Sequence, residues 1–249
     1  MPPYHRLPLT AVLVAGLAGL GPPSFAQTAA PRLEQRTFTA ADGASMRYGL
    51  AVPGDYDRSR PRPLVLALHP GGSGPYYGDS FLRSIFLPGL RELEPIMIAP
   101  DVPGRSWTDP RADQLVMALV AAIGKEFAVD ARRLLVVGFS MGGAGTWHHA
   151  ARHPDRFTAA IVIAGRTEEP LASLGTIPTF IIHSRDDQVV PFAQAEERAR
   201  ALEGMKRPVR FEALAGVSHY AMGGYLDALT RAGRWVSMQW NQVSRKDSP

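Results

Sequence analysis

Short apolar runs alternate along this chain with stretches in which apolar residues return every three or four positions. That alternation predicts a mostly parallel central sheet with helices on both faces, an α/β class. Residues 45–52 and 63–69 read as strands, the second nearly all aliphatic and so buried on both sides. Pro95 to Ala99, Leu134 to Phe139, Ala159 to Ala164, Thr179 to Ile182 and Val209 to Leu214 follow as further strands. Asp109-Pro110 predicts a helix start, a capping carboxylate followed by proline at the first helical position. Leu115, Leu119 and Ile123 repeat at helical spacing behind it. A second helix opens at Pro191, and Leu226, Leu229, Val236 and Trp240 line a closing one. Arg166 to Pro178 has room for at most one short helix, so no large lid is expected.

The first residues read as an address. His5 and Arg6 precede an apolar stretch from Leu7 to Leu20, and Ser24-Phe25-Ala26 fits a small-x-small cleavage site. The stretch is too short to span a bilayer. A signal peptide over 1–26, a single catalytic domain over 27–249, and a periplasmic or secreted location without a stable membrane anchor are therefore expected. The chain contains no cysteine, which excludes disulfides, thiol catalysis and cysteine-bound zinc. Its net charge of +4 is spread rather than clustered, which argues against nucleic acid as a partner.

Chemistry enters at Gly138-Phe139-Ser140-Met141-Gly142. The apolar run Leu134 to Val137 leads into this G-x-S-x-G pattern and a helix-permissive stretch follows, the context a nucleophile elbow requires. A serine hydroxyl needs a base, and a histidine base needs a carboxylate to fix its tautomer. In hydrolases built on this elbow the carboxylate follows the serine and the histidine comes last. His219 is the only histidine beyond residue 183. The acid belongs on the loop after Thr179 to Ile182, where Asp187 is preferred and Asp186 competes. Oxyanion donors are expected from the N–H of Met141, at a helix N-terminus, and from Gly72, with Gly71 close behind, in His69-Pro70-Gly71-Gly72. Tyr76, Tyr77, Trp107 and Tyr220 cluster on the same loops and are candidate substrate contacts. His149 and His153 have a zinc-like spacing on one helix, but no H-E-x-x-H motif or third ligand accompanies them, so no metal or other cofactor is expected.

With these residues in place the chain resembles the α/β-hydrolase superfamily. It is similar to the group spanning dienelactone-hydrolase-like proteins, polyhydroxybutyrate-depolymerase-like and feruloyl-esterase-like esterases, and prolyl-oligopeptidase-type catalytic domains. The resemblance rests on Gly138 to Trp147, on His153-Pro154-Asp155-Arg156-Phe157, and on Asp186-Asp187 to Pro191. It implies Ser140 as nucleophile, Asp187 as acid and His219 as base, and a small-molecule ester is the expected substrate. A peptidase or amidase, and a catalytically silent binding protein, are the alternatives. His69-Pro70-Gly71-Gly72 departs from the more usual His-Gly start of the oxyanion loop.

Overall fold

A computed structural model describes residues 29–246, so the expected signal segment, 1–26, lies outside the described residues. Eight strands form one sheet: β1 Arg32–Thr39, β2 Ser45–Val52, β3 Arg62–Leu68, β4 Ile96–Pro100, β5 Val129–Phe139, β6 Ala159–Ile163, β7 Thr179–Ser184 and β8 Val209–Leu214. Their order is β1-β2-β4-β3-β5-β6-β7-β8. β1 pairs antiparallel with β2 and β2 with β4, and every later pairing is parallel.

The strands alternate faces with period two, and the two cores follow from that. Leu64, Leu66, Leu68, Leu134 and Val136 pack beneath α3 (Pro110–Glu126), α4 (Met141–Arg152) and α5 (Phe192–Gly204). Val65, Ala67, Leu135, Val137 and Phe139 pack against the opposite layer, the segment around α1 (Tyr77–Phe81) and α2 (Leu87–Leu90) together with α6 (Leu226–Lys246). Phe86, Leu90, Leu229 and Val236 fill that side. The α/β-hydrolase expectation is met in class, layering and strand direction. The connection from Arg166 to Pro178 carries only one short 3-10 turn, Leu171–Leu174, so no lid is built there. No helix among the described residues is long and apolar enough to cross a membrane.

Three details differ from the sequence reading. β1 has no apolar run because it is an edge strand, partly exposed along its length. β5 begins at Val129 rather than Leu134, because Val129 to Arg133 are partly exposed and carry no aliphatic run. Asp109 does not cap α3: its Oδ2 accepts the N–H groups of Arg105 and Ser106, at 3.3 and 3.2 Å, and so closes the preceding turn. Pro110 still opens the helix.

Candidate active site

β5 ends against α4 in a turn that only glycine permits at two positions. A Cβ on Gly138 would overlap the Gly142 carbonyl, and one on Gly142 would overlap the Leu68 carbonyl at the end of β3. Ser140, between them, has φ 55° and ψ −113°, a conformation that costs on the order of 1–3 kcal/mol for a residue with a side chain. Its N–H donates to the Ile163 carbonyl at 2.9 Å, which ties the turn to the end of β6. The hydroxyl therefore stands at the carboxyl ends of the parallel strands, where open α/β sheets hold their ligands.

His219, from the loop after β8, places Nε2 2.8 Å from Ser140 Oγ. Its Nδ1 lies 2.7 Å from Asp187 Oδ2. Since a carboxylate only accepts, Nδ1 carries the proton and Nε2 presents a bare lone pair to the serine hydroxyl. The Gln188 side-chain carbonyl accepts the His219 N–H at 3.2 Å and fixes the backbone. Asp187 Oδ1 accepts the N–H groups of Val189 and Val190, each at 2.8 Å. Burial alone would raise the Asp187 carboxyl, but the bonds from His219, Val190 and Val189 more than offset it and hold it below the ordinary carboxylate range.

Asp186 points elsewhere: its Oδ2 accepts the Gly216 N–H at 2.6 Å and joins the β7 and β8 loops. His183, near the end of β7, is fully buried beside the acid. Its Nε2–H donates to the Val190 carbonyl at 2.9 Å and lies 3.4 Å from Asp187 Oδ2. Burial pushes the His183 imidazole down, which keeps it neutral next to the pair.

The glycine-rich loop after β3 is braced from beneath. His69 Nε2 accepts the Val102 N–H at 3.0 Å, so its Nδ1 carries the proton and donates to the Pro70 carbonyl at 2.6 Å. Gly72 has φ 143°, and the Tyr77 ring occupies the space a Cβ there would need. Met141 opens α4, so its N–H belongs to the first turn, where backbone amides have no acceptor within the helix.

Trp107 corrects one expectation. It is completely buried, its ring packs edge-on against His69, and its Nε1–H donates to the His69 carbonyl at 3.0 Å. It is a core brace under the glycine-rich loop, sealed from solvent, rather than a wall for substrate. Tyr76 and Tyr77 likewise serve the loop. Asp101 holds the N–H groups of Tyr76 and Gly78, at 2.8 and 2.9 Å, and the Tyr77 ring packs on His69. Tyr220 is exposed beside His219. The cavity that opens at Ser140 and Met141 has a volume of about 620 Å³. Thr108, Arg166, Glu169, Val189 and Val190 contribute to its walls, and none of the four aromatic candidates does. Only the fold could have supplied that list, since these residues come from three separate loops.

The fold also answers the question left by His149 and His153. Asp113, from α3, reaches across to both and supplies the missing third group.

Comparison with known proteins agrees with this architecture. The chain is 27% identical over 156 residues to feruloyl esterase C of Emericella nidulans, covering 58% of this chain and 56% of that protein. It is 25% identical over 219 residues to an uncharacterized secreted protein of Arthroderma benhamiae, covering 82% of this chain and 22% of that one. The chain thus spans a little over half the length of the first curated relatives it matches. Among solved structures, a thermostable esterase superposes with a TM-score of 0.66 at 25% identity, over 86% of this chain and 61% of the other. The PETase family, described as PET hydrolase-like, matches residues 103–231, which run from the loop before α3, through the elbow, to the histidine loop and into α6. That segment is just over half of the chain, and the protein belongs to the PET hydrolase-like family.

Proposed function

We propose that this chain is an exported serine hydrolase that cleaves carboxylic esters through an acyl-enzyme. Residues 27–249 form one catalytic domain behind a cleaved 1–26 signal. The observation that carries the reading is the unbroken relay from Asp187 Oδ2 to His219 Nδ1, 2.7 Å, and from His219 Nε2 to Ser140 Oγ, 2.8 Å, which ends at the open cavity that Ser140 lines. Ser140 Oγ attacks the ester carbonyl as its proton passes to His219 Nε2. The same proton then leaves with the alcohol. Water, deprotonated by that nitrogen, adds to the acyl carbonyl and releases the acid. Asp187 holds the imidazole in its tautomer and stabilises the cation. The Met141 N–H, with a second amide from Gly72 or Gly71, receives the negative charge on the carbonyl oxygen, aided by the α4 dipole.

The family description and a relative named feruloyl esterase favour an ester over an amide. The match to a protein described as secreted favours export. The test is a panel of short, long and aromatic acyl esters beside matched amides, run with wild type and Ser140→Ala. Ester turnover should fall in the variant to the roughly 10³–10⁴-fold over water that positioning alone supplies. A fluorophosphonate probe should label Ser140 in the folded protein. Full ester turnover by Ser140→Ala, or no adduct at Ser140, would overturn the reading, and amide cleavage on a par with ester cleavage would assign a peptidase.

A further inference from the structure

Three imidazoles from α4 gather around one carboxylate oxygen from α3. Asp113 Oδ1 lies 2.9 Å from His153 Nε2, 2.9 Å from His149 Nδ1 and 3.8 Å from His148 Nε2. None of these residues takes part in the relay at Ser140.

Hydrogen bonding leaves a buried ring nitrogen without a partner on two of the three. His153 Nε2 bonds both Asp113 oxygens, at 2.9 and 3.1 Å. His149 is fully buried; its Nδ1 stands 2.9 Å from Asp113 Oδ1, while its Nε2 has no hydrogen-bond partner. His148 is pinned from the other side. Its Nδ1–H donates to Glu169 Oε1 at 2.7 Å, which leaves Nε2 as a buried, unpartnered lone pair facing the Asp113 oxygen. Two acceptors turned toward one another repel, and a cation between them removes the repulsion. A metal-bound imidazole ordinarily gives its other ring proton to a carboxylate, and His148 with Glu169 is such a pair.

We infer that Asp113, His149 and His153, with His148 at a fourth corner, bind a divalent transition-metal ion of the zinc type. One donor atom from each of the first three lies within 4.8 Å of the others. Around tetrahedral zinc, bonds of about 2.0–2.2 Å put ligand atoms about 3.3–3.5 Å apart. The two close contacts would open by about half an ångström, and the His148 contact would close by a similar amount. Imidazole and carboxylate donors suit zinc, cobalt or nickel better than calcium or magnesium. Burial marks the site as structural: the side chains of His149, His148 and Asp113 are 0%, 8% and 12% exposed, and only His153, at 25%, opens toward solvent. A bound ion would clamp α3 to α4, the helix that begins at the nucleophile elbow.

The test uses untagged protein stripped with EDTA and returned to metal-free buffer at neutral pH. ZnCl₂ is titrated by calorimetry and CoCl₂ by visible absorption. Wild type should bind one ion per chain, and cobalt should give the strong d–d bands of a four-coordinate site. The Tm should rise by about 5–10 °C at zinc roughly a hundredfold above Kd. His153→Gln, the most exposed ligand, should weaken Kd at least about tenfold and erase the cobalt bands. Asp113→Asn is the second variant, should the first fail to fold. No saturable binding by wild type, or binding unchanged in the variants, would leave a hydrogen-bonded cluster with no ion and overturn the proposal.

Discussion

Asp186 and Asp187 are neighbours in the chain, yet their carboxylates serve different ends. Asp186 Oδ2 takes the Gly216 N–H at 2.6 Å, while Asp187 Oδ2 takes the His219 Nδ1–H at 2.7 Å. One closes a loop and the other orients an imidazole. Asp187→Asn should therefore lower kcat by roughly 10⁴-fold with the fold intact, because an amide can present an N–H that selects the wrong tautomer. Asp186→Asn should cost about 0.5–1.5 kcal/mol of stability and change kcat far less. Stopped or steady-state ester kinetics beside urea melts separate the two. Similar kinetic losses in both variants would contradict the division of labour.

The buried titratable groups set the acid limb of stability. His69 and His183 are held below their ordinary value of 6.5, chiefly by burial. They fold neutral, so as pH drops below about 6.5 the unfolded chain takes up protons that the folded chain refuses, and stability declines. Asp187 is held below 3.8 despite its burial, so its contribution is complete above that value and is lost as pH falls beneath it. Urea midpoints from about pH 8 down to about pH 3 should fall in two stages, the second steeper. His69→Gln should flatten the first stage.

Trp107 and Tyr220 are both aromatic and both near the site, but their burial is opposite: Trp107 is 0% exposed and Tyr220 71%. Trp107→Ala should cost about 3–5 kcal/mol by emptying the space between His69 and α4. Tyr220→Ala should stay within about 0.5 kcal/mol of wild type. Denaturant melts of the two variants check this directly.

The tight join of β3 to α4 gives a sharper case. Gly142→Ala places a methyl group into the Leu68 carbonyl, a backbone atom that cannot rotate away. The expected cost is about 1–3 kcal/mol, accompanied by lost turnover as the elbow shifts. Gly204→Ala, where a Cβ meets open space, is the control and should leave both properties near wild type.

Much of this was legible in the sequence, for identifiable reasons. The parallel strands are buried on both faces, so β3 and β6 are written as aliphatic runs. The elbow is legible because its glycines answer to backbone clashes that no side chain can avoid. His219 followed from order and uniqueness. What stayed hidden depends on distance in the chain. Trp107 reads as a loop aromatic until β3 and α4 close over it. Asp113 reads as a polar residue in the first turn of a helix until α3 packs beside α4 and brings it to His149 and His153. The cavity wall at Arg166, Glu169 and Val189 carries no local signal at all.

The short connection from Arg166 to Pro178 has a kinetic corollary. With only a 3-10 turn in that connection, no element built there must swing aside before a carbonyl reaches Ser140. Rates should then climb smoothly with substrate concentration across the micelle threshold, with no jump at an oil–water boundary. A bulky or chain-like ester could also lie across the opening with both ends free in solvent.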